Sequence, residues 1–156
     1  MRITLLEIGK TRDDFINEGI EVFRKRIARY VNFNIVTIPG IKNTRNMIMK
    51  EVQHQEGIKI LKFFKNGDYN ILLDERGKEY DSISLAEHLN ELYGKANHIQ
   101  FIVGGPYGFS EEVYQKANEL MALSRLTFSH QMVRLIFMEQ IYRAFTIIKG
   151  EPYHHA

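Results

Sequence analysis

The stretch that decides the fold is IQFIVGGPYG, residues 99–108. Its first half is a short apolar run typical of a buried strand, and its second half is a glycine-rich turn that ends the strand. Open parallel sheets bind ligands at the carboxyl ends of their strands, where glycines let the backbone approach a ligand closely. Gly104 and Gly105 therefore predict a ligand site at this turn, although a tight strand-to-helix turn without a ligand explains the same residues.

Strand and helix patterns alternate along the whole chain. Apolar residues form short continuous runs in some segments and recur at helical spacing in others. This alternation predicts an α/β domain with a mostly parallel sheet flanked by helices on both faces. The predicted strands are 2–8, 33–38, 69–73, 98–103 and 120–123, and the predicted helices are 13–27, 44–65, 82–93, a short helix after Ser110, and 132–149.

Three local signals refine these predictions. Gly57 is expected to weaken or break the helix over 44–65, because glycine is a poor helix former. Residues 76–78 contain Gly77 between two basic residues and predict a turn. Ser82 or Ser84 is expected to cap the following helix.

Length and composition restrict the class of protein. The 156 residues suit a single domain spanning 1–156. The chain has no cysteine, which excludes disulfides and thiolate metal sites and agrees with a cytoplasmic location. Every apolar run is shorter than the roughly 18–20 residues of a membrane-spanning helix, so no membrane partner is expected.

The net charge of +2 is too balanced to indicate nucleic-acid binding by itself. Basic residues nevertheless cluster near the end of the first predicted helix, at Arg24, Lys25, Arg26 and Arg29. Two explanations stay open for this cluster. It is either a solvated helix face that complements the helix dipole or a surface that contacts phosphates.

The spacing in the glycine turn argues against a phosphate ligand. Its G-G-x-x-G order differs from the G-x-G-x-x-G dinucleotide motif, and no Gly-Lys-Ser/Thr follows it. Glu111 and Glu112 begin the next helix, where their charges would repel a phosphate. A ligand that lacks phosphate, or carries positive charge, suits this turn better.

A second unusual segment lies between the fifth strand and the last helix. It is neither a regular strand nor a regular helix, so it predicts a structured loop with free backbone donors and acceptors that can recognise a purine edge. The segment comprises Leu123, Ser124, Arg125, Leu126, Thr127 and Phe128.

The last helix carries polar residues where core residues are expected. Arg134 and Tyr142 lie near one line along it, and Phe137, Met138 and Ile141 suit either the core or a second subunit. A plain amphipathic helix explains the same pattern.

Histidines flank this helix. His130 precedes it and can be a cap, a packed imidazole or a catalytic group, while His154 follows Tyr153 near the terminus. No carboxylate or cysteine spacing supports a zinc site made of His130, His154 and His155, so no metal is expected.

Taken together, these motifs resemble the bacterial ribosomal RNA large subunit methyltransferase H family. The resemblance covers the whole chain and is specific in residues 72–77 and 99–154. The motifs that carry it are GGPYG at 104–108, LTFSHQMVR at 126–134, EQIYRAF at 139–145 and GEPYH at 150–154. The chain departs from the family at its end, His155-Ala156, where other members often carry a basic residue.

The resemblance implies a SPOUT-type α/β fold with a C-terminal trefoil knot, in a homodimer. The implied activity is methylation of N3 of a pseudouridine in helix 69 of 23S rRNA, with S-adenosylmethionine as cofactor and the assembled 70S ribosome as substrate. By position, the resemblance assigns the cofactor to Leu73, Gly104, Gly105 and the loop 123–128.

Catalytic roles are expected for six residues near the chain's end. His154 and His130 are the candidate bases, because imidazole titrates in the useful pH range. The candidate stabilisers of charge on the target base, or phosphate anchors, are Arg134 and Arg143. Tyr142 or Tyr153 is expected to stack on the target base, with Tyr153-His154 reaching toward it and into the partner subunit's site.

Two other classes of function stay open at this point. One is a non-catalytic module of the same fold that binds RNA or the ribosome but not S-adenosylmethionine. The other is a methyltransferase of this fold that acts on tRNA or on protein.

Overall fold

A parallel sheet of five strands forms the middle layer of the protein. In the computed structural model, which describes residues 1–155, the strand order is β2-β1-β4-β3-β5, and every neighbouring pair is parallel. The strands are β1 (Arg2–Ile8), β2 (Asn32–Ile38), β3 (Asp68–Glu79), β4 (His98–Val103) and β5 (Glu119–Ala122). The predicted α/β class and parallel sheet are confirmed.

Helices cover both faces of this sheet. The first face carries α1, α3 and α5, and α5 packs against both of the others. The second face carries α2 and α4, which also contact each other. Their bounds are α1 (Asp14–Ile27), α2 (Met49–Leu61), α3 (Ser82–Tyr93), α4 (Glu111–Lys116) and α5 (Met132–Ile148), with a 3-10 turn at Thr44–Asn46.

Strand β1 shows how the sheet separates the two cores. Successive side chains of a strand point to opposite faces. Ile3 and Leu5 are buried in the core beneath α1, α3 and α5, and Leu6 and Ile8 are buried in the core beneath α2 and α4. Burial on both faces explains why this strand is a continuous apolar run rather than an alternating pattern.

The prediction that Gly57 breaks its helix is wrong. Helix α2 continues through Gly57, which is buried against α4. A Cβ at this position would lie 2.4 Å from Ser110 Oγ, so the glycine allows the two helices to approach closely. The interruption lies earlier, between the 3-10 turn and Met49.

The turn predicted at residues 76–78 is also wrong, because β3 continues to Glu79 with a shift of register after Leu73. A Cβ on Gly77 would lie 2.5 Å from backbone atoms of Leu120 and Met121, so the glycine marks close contact with β5. The cap of α3 is Asp81 rather than a serine: its side chain accepts a hydrogen bond from the Ser84 backbone N–H at 2.7 Å.

We expect Gly77→Ala to destabilise the protein by about 1–3 kcal/mol, because the added methyl group would overlap the β5 backbone, which cannot move aside cheaply. The free energy of unfolding in urea measures this effect. Gly94→Ala is the matched control: Gly94 has φ −85°, and the nearest atom to an added Cβ is 3.7 Å away. That variant should be neutral or slightly stabilised. Equal stability of the two variants would contradict the close contact of β3 and β5.

Candidate functional site

The carboxyl ends of β4 and β5 and the middle of β3 open onto one cleft of about 730 Å³. Its walls are formed by residues 73–76 of β3, by the loops that follow β4 and β5, and by the starts of α2 and α5. Eight of the nine residues predicted to bind a cofactor line this cleft, and so does His130: the eight are Leu73, Gly104, Gly105, Leu123, Ser124, Leu126, Thr127 and Phe128. The structure therefore gathers residues that lie far apart in the sequence.

Arg125 is the predicted cofactor residue that does not line the cleft. Its side chain is 89% exposed and forms an ion pair with Glu79, with 2.5 Å between Nε and Oε1. Its charge is thus directed to the outer surface at the end of β3.

Two hydrogen bonds shape the loop 123–128 on the cleft wall. The Leu126 backbone N–H donates to Ser124 Oγ at 3.0 Å, and the Thr127 hydroxyl donates to the Glu75 carboxylate. The second bond joins the loop after β5 to the middle of β3. The loop is therefore held on one side by its own side chain and on the other by a neighbouring strand.

The glycine turn after β4 is tight and is packed from below. Gly108 has φ +76°, a conformation that favours glycine, and its N–H donates to the Gly105 carbonyl at 3.1 Å. A Cβ on Gly104 would lie 3.1 Å from the Phe109 ring. The glycines thus serve the strand-to-helix turn, which ends where Ser110 Oγ accepts from Val113 N and caps α4.

Acidic groups give the cleft a negative side. Burial would raise the pKa of Asp74, but hydrogen bonds from Arg76 and the Tyr114 hydroxyl outweigh burial and lower it. Asp74 is consequently ionised at neutral pH, and Glu75 lies beside it in the cleft wall. Arg76 partly balances these charges. The arrangement suits a ligand with a positive charge better than a phosphate.

His130 stands at the mouth of the cleft, before α5. Desolvation and then the positive charges of Arg134 and Arg12 lower the pKa of His130. The imidazole is therefore biased toward its neutral form, the form that accepts a proton. The cap of α5 is provided by a neighbour, since Ser129 Oγ accepts from the Met132 N–H at 3.1 Å.

Arg134 is fully buried and is bonded within its own chain. Its guanidinium donates to the carbonyl oxygens of Ile8 at 2.7 Å, Gly9 at 2.9 Å and His130 at 3.0 Å. It also forms an ion pair with the buried Glu7, with 3.3 Å between Nη1 and Oε2. Arg134 thus connects the end of β1 to the start of α5 and does not line the cleft.

The other four predicted catalytic residues gather at the far end of α5. We call Glu139, Tyr142, Arg143, Tyr153 and His154 the C-terminal cluster. Arg143 donates to Glu139 Oε1 at 2.7 Å and to His154 Nδ1 at 3.3 Å. The Tyr142 and Tyr153 rings meet edge to face with 4.6 Å between centroids, and Tyr153 OH donates to Glu139 at 3.2 Å.

Within one chain, the C-terminal cluster is separate from the cleft. Val133 lines the cleft, and Tyr142 lies nine positions further along the same helix. At about 1.5 Å per residue this corresponds to roughly 14 Å along the helix axis. Of the six predicted catalytic residues, the structure therefore places His130 in the cleft wall, Arg134 in the core beside it, and the other four in the C-terminal cluster.

Sequence reasoning missed several residues that hold the site. Glu139 lies four positions before Arg143, and this spacing on a helix was a usable signal for an ion pair. Asp74 directly follows the apolar part of β3, where ligand sites form in parallel sheets. Glu56 carries no such signal, because nothing local shows that a charged residue on α2 is buried beneath the glycine turn.

The range that the structure describes is residues 1–155. No group of three or more His, Asp or Glu side chains in this range is placed to hold a metal ion. In the same range, no helix combines the length and the apolar character that crossing a bilayer requires.

We expect Arg134→Met to lower the free energy of unfolding by about 3–5 kcal/mol, because it leaves Glu7 buried without its counter-charge. Burial already raises the pKa of Glu7, and Arg134 opposes that rise. A carboxyl whose pKa is higher in the folded state than in the unfolded state makes stability fall as the pH rises above the unfolded-state pKa. The variant should therefore lose more stability than the wild type between about pH 5 and about pH 8.

Urea unfolding at the two pH values measures this difference, and Glu7→Gln provides the control. The double variant Arg134→Met with Glu7→Gln should recover part of the stability and lose the additional pH dependence. A pH profile parallel to the wild type in Arg134→Met would contradict the pairing of these two charges.

Comparison with known proteins identifies the family. A family model described as "Predicted SPOUT methyltransferase" matches residues 1–154. Three similar proteins named Ribosomal RNA large subunit methyltransferase H come from Parabacteroides distasonis, Bacteroides thetaiotaomicron and Christiangramia forsetii. They are 47%, 46% and 45% identical to this chain over 156 residues, which covers 99% of each protein in every pair. The chain therefore belongs to the SPOUT methyltransferase family.

Proposed function

We propose that this protein is an S-adenosylmethionine-dependent methyltransferase of ribosomal RNA. The proposed reaction is methylation of N3 of a pseudouridine in helix 69 of 23S rRNA, on the assembled 70S ribosome in the cytoplasm. The observation that carries the proposal is the cleft, because it combines Leu73, Gly104 and the loop 123–128 at one edge of the sheet. Full-length similarity to proteins named as ribosomal RNA methyltransferases supports the choice of substrate.

The residues of the cleft fit S-adenosylmethionine. A volume of about 730 Å³ lies within the range of small-molecule sites. The ionised Asp74 and the neighbouring Glu75 complement a sulfonium cation and would repel a phosphate. Backbone groups of the loop 123–128 supply donors and acceptors for the edge of an adenine. When bound, the cofactor supplies a methyl group that is activated for in-line displacement by a nucleophile.

Methylation of N3 also requires that a proton be removed from this nitrogen. N3 of pseudouridine carries hydrogen, which leaves as the N–CH3 bond forms and the S–CH3 bond breaks. A base that accepts this proton, or a cation that favours the anionic form of the nucleobase, is required. We assign the base to His154 and place His130 at the mouth of the cleft as the second candidate. Arg143 supplies the cation, and Arg134 acts by holding the His130 segment in position.

Two chains that contribute to one site would bring His130 and the C-terminal cluster together. Within one chain, Tyr142 of the cluster lies about 14 Å along α5 from Val133 in the cleft wall. We therefore propose a homodimer in which Tyr153 and His154 of one chain reach the cleft of the other. Tyr142 or Tyr153 then stacks on the target base, since bases splayed out of RNA loops stack on aromatic rings.

We further propose that residues 1–156 form one domain with a C-terminal trefoil knot. Membership of the SPOUT methyltransferase family supports this proposal. The loops after β4 and β5, which line the cleft, lie in the C-terminal part of the chain.

The basic end of helix α1, at Arg24, Arg26 and Arg29, is proposed to contact rRNA phosphates.

The first experiment is transfer of labelled methyl from S-adenosylmethionine to ribosomes that lack this modification. Assembled 70S particles, separate subunits, free rRNA and tRNA are compared in parallel. We expect label in 70S particles alone. Label in tRNA would support methyl transfer but identify tRNA as the substrate. Absence of label together with no binding of the cofactor would favour a non-catalytic module.

We expect His154→Ala to slow methyl transfer by about a hundredfold or more, the usual contribution of a general base. The dissociation constant for S-adenosylmethionine should stay unchanged, because His154 is proposed to act on the target base and not on the cofactor. Single-turnover rates and calorimetric titration measure the two quantities. The control is His155→Ala, which removes an adjacent, exposed imidazole and should leave both unchanged. Equal losses of rate and cofactor affinity in His154→Ala would remove the catalytic assignment.

A further inference from the structure

Helix α2 contacts the glycine turn from beneath the cleft. Three residues at helical spacing, Gln53, Glu56 and Gly57, face the segment Gly104–Ser110. The Gln53 side-chain amide donates to the Tyr107 carbonyl at 2.5 Å. Gly57 lies against Ser110, the residue that caps α4. One helix face therefore touches the beginning, the middle and the end of the segment.

Glu56 makes the closest of these contacts. Its carboxylate lies directly beneath Gly105, where a Cβ would be 2.6 Å from one carboxylate oxygen and 2.7 Å from the other. Burial raises the pKa of this carboxyl, and the nearby Gly105 backbone N–H acts in the opposite direction. A side chain at position 105 would thus displace the Glu56 carboxylate from its place beneath the turn.

The position of Glu56 is costly for stability alone. The residue is 5% exposed, and desolvation raises the pKa of its carboxyl despite the nearby Gly105 N–H and Lys59. Burying a carboxylate costs free energy that a few hydrogen bonds only partly offset, and an apolar residue of similar size would fit a helix–turn contact more cheaply. What the carboxylate adds is a directional contact with one backbone amide.

We propose that Glu56 is a positioning residue, which sets the conformation of the segment Gly104–Ser110 so that Gly104 and Gly105 present their backbone to the cofactor. Gln53 fixes the same segment at Tyr107, and Gly57 lets α2 approach closely enough for both contacts. This inference rests on the proposed function, because it assumes that S-adenosylmethionine binds in the cleft. Glu56 itself does not line the cleft and touches no reacting group.

The test compares Glu56→Ala and Glu56→Gln with the control Glu51→Gln. Glu51 is an exposed carboxylate on the same helix, so the control removes the same charge without touching the segment. Two quantities are measured: hydrogen exchange of the Gly105 amide by NMR without cofactor, and the dissociation constant for S-adenosylmethionine by calorimetry. Thermal unfolding establishes that each variant is folded.

We expect Glu56→Ala to speed exchange at Gly105 and to weaken cofactor binding by about tenfold or more, since an amide loses a charged acceptor. Glu56→Gln keeps an acceptor oxygen of the same shape and should retain most of both properties. Glu51→Gln should match the wild type. Unchanged affinity and unchanged Gly105 exchange in a folded Glu56→Ala protein would overturn the proposal, and so would equal effects of the Ala and Gln variants.

A double-variant cycle tests the contact directly. Gly105→Ala places a methyl group on the Glu56 carboxylate and should weaken cofactor binding in the wild-type background. With Glu56→Ala the obstacle is gone, so the two substitutions together should weaken binding by less than the product of their separate effects. Multiplicative effects would contradict the contact. Failure of the wild type to bind S-adenosylmethionine would instead refute the proposed function, while Gly105 exchange would still report on Glu56.

Discussion

The common direction of the five strands is the constraint on which the rest of the structure depends. Because β3, β4 and β5 run parallel, residues 73–76 of β3 and the loops that follow β4 and β5 lie at one edge of the sheet, where they can surround a single ligand. Residues 73, 104 and 123–128 are distant in the sequence and become neighbours for this reason alone. An antiparallel arrangement of the same strands would send alternate loops to opposite edges and leave no cleft.

Two kinds of contact then hold the loops in place. Some come from within the edge itself, such as the bond from Thr127 to Glu75, and others come from the helices beneath. The walls of the cleft are consequently bonded both to each other and to α2. On its acidic side, hydrogen bonds from Arg76 and Tyr114 lower the pKa of Asp74.

Much of the fold could be predicted from the sequence, because apolar periodicity depends on burial and burial decides most elements. The errors concern glycines that serve tertiary contacts. Gly57 and Gly77 look like breaks when read locally, yet each marks a place where another element passes too close for a Cβ. Asp81, and not a serine, caps α3, because its side chain accepts a hydrogen bond from the Ser84 backbone N–H.

The candidate site was predictable to a similar extent. The resemblance to a known family named most of the residues that line the cleft. Neither that resemblance nor helical spacing indicated that Arg134 is buried against the end of β1, or that Glu56 lies under Gly105. Both facts depend on how elements that are distant in the sequence pack together, and the local sequence does not indicate that packing. The sequence also did not indicate that the side chain of Arg125 pairs with Glu79 and does not line the cleft.

The ion pair between Glu7 and Arg134 has a consequence for how the chain folds during its synthesis. Glu7 is translated well before its counter-charge, Arg134. Until Arg134 is added, the carboxylate on β1 lacks this partner, and β1 also waits for β4 before its second edge is paired. Contacts this far apart in sequence form late and slowly. A fragment that stops before Arg134 therefore lacks both the counter-charge of Glu7 and helix α5, which packs on α1 and α3.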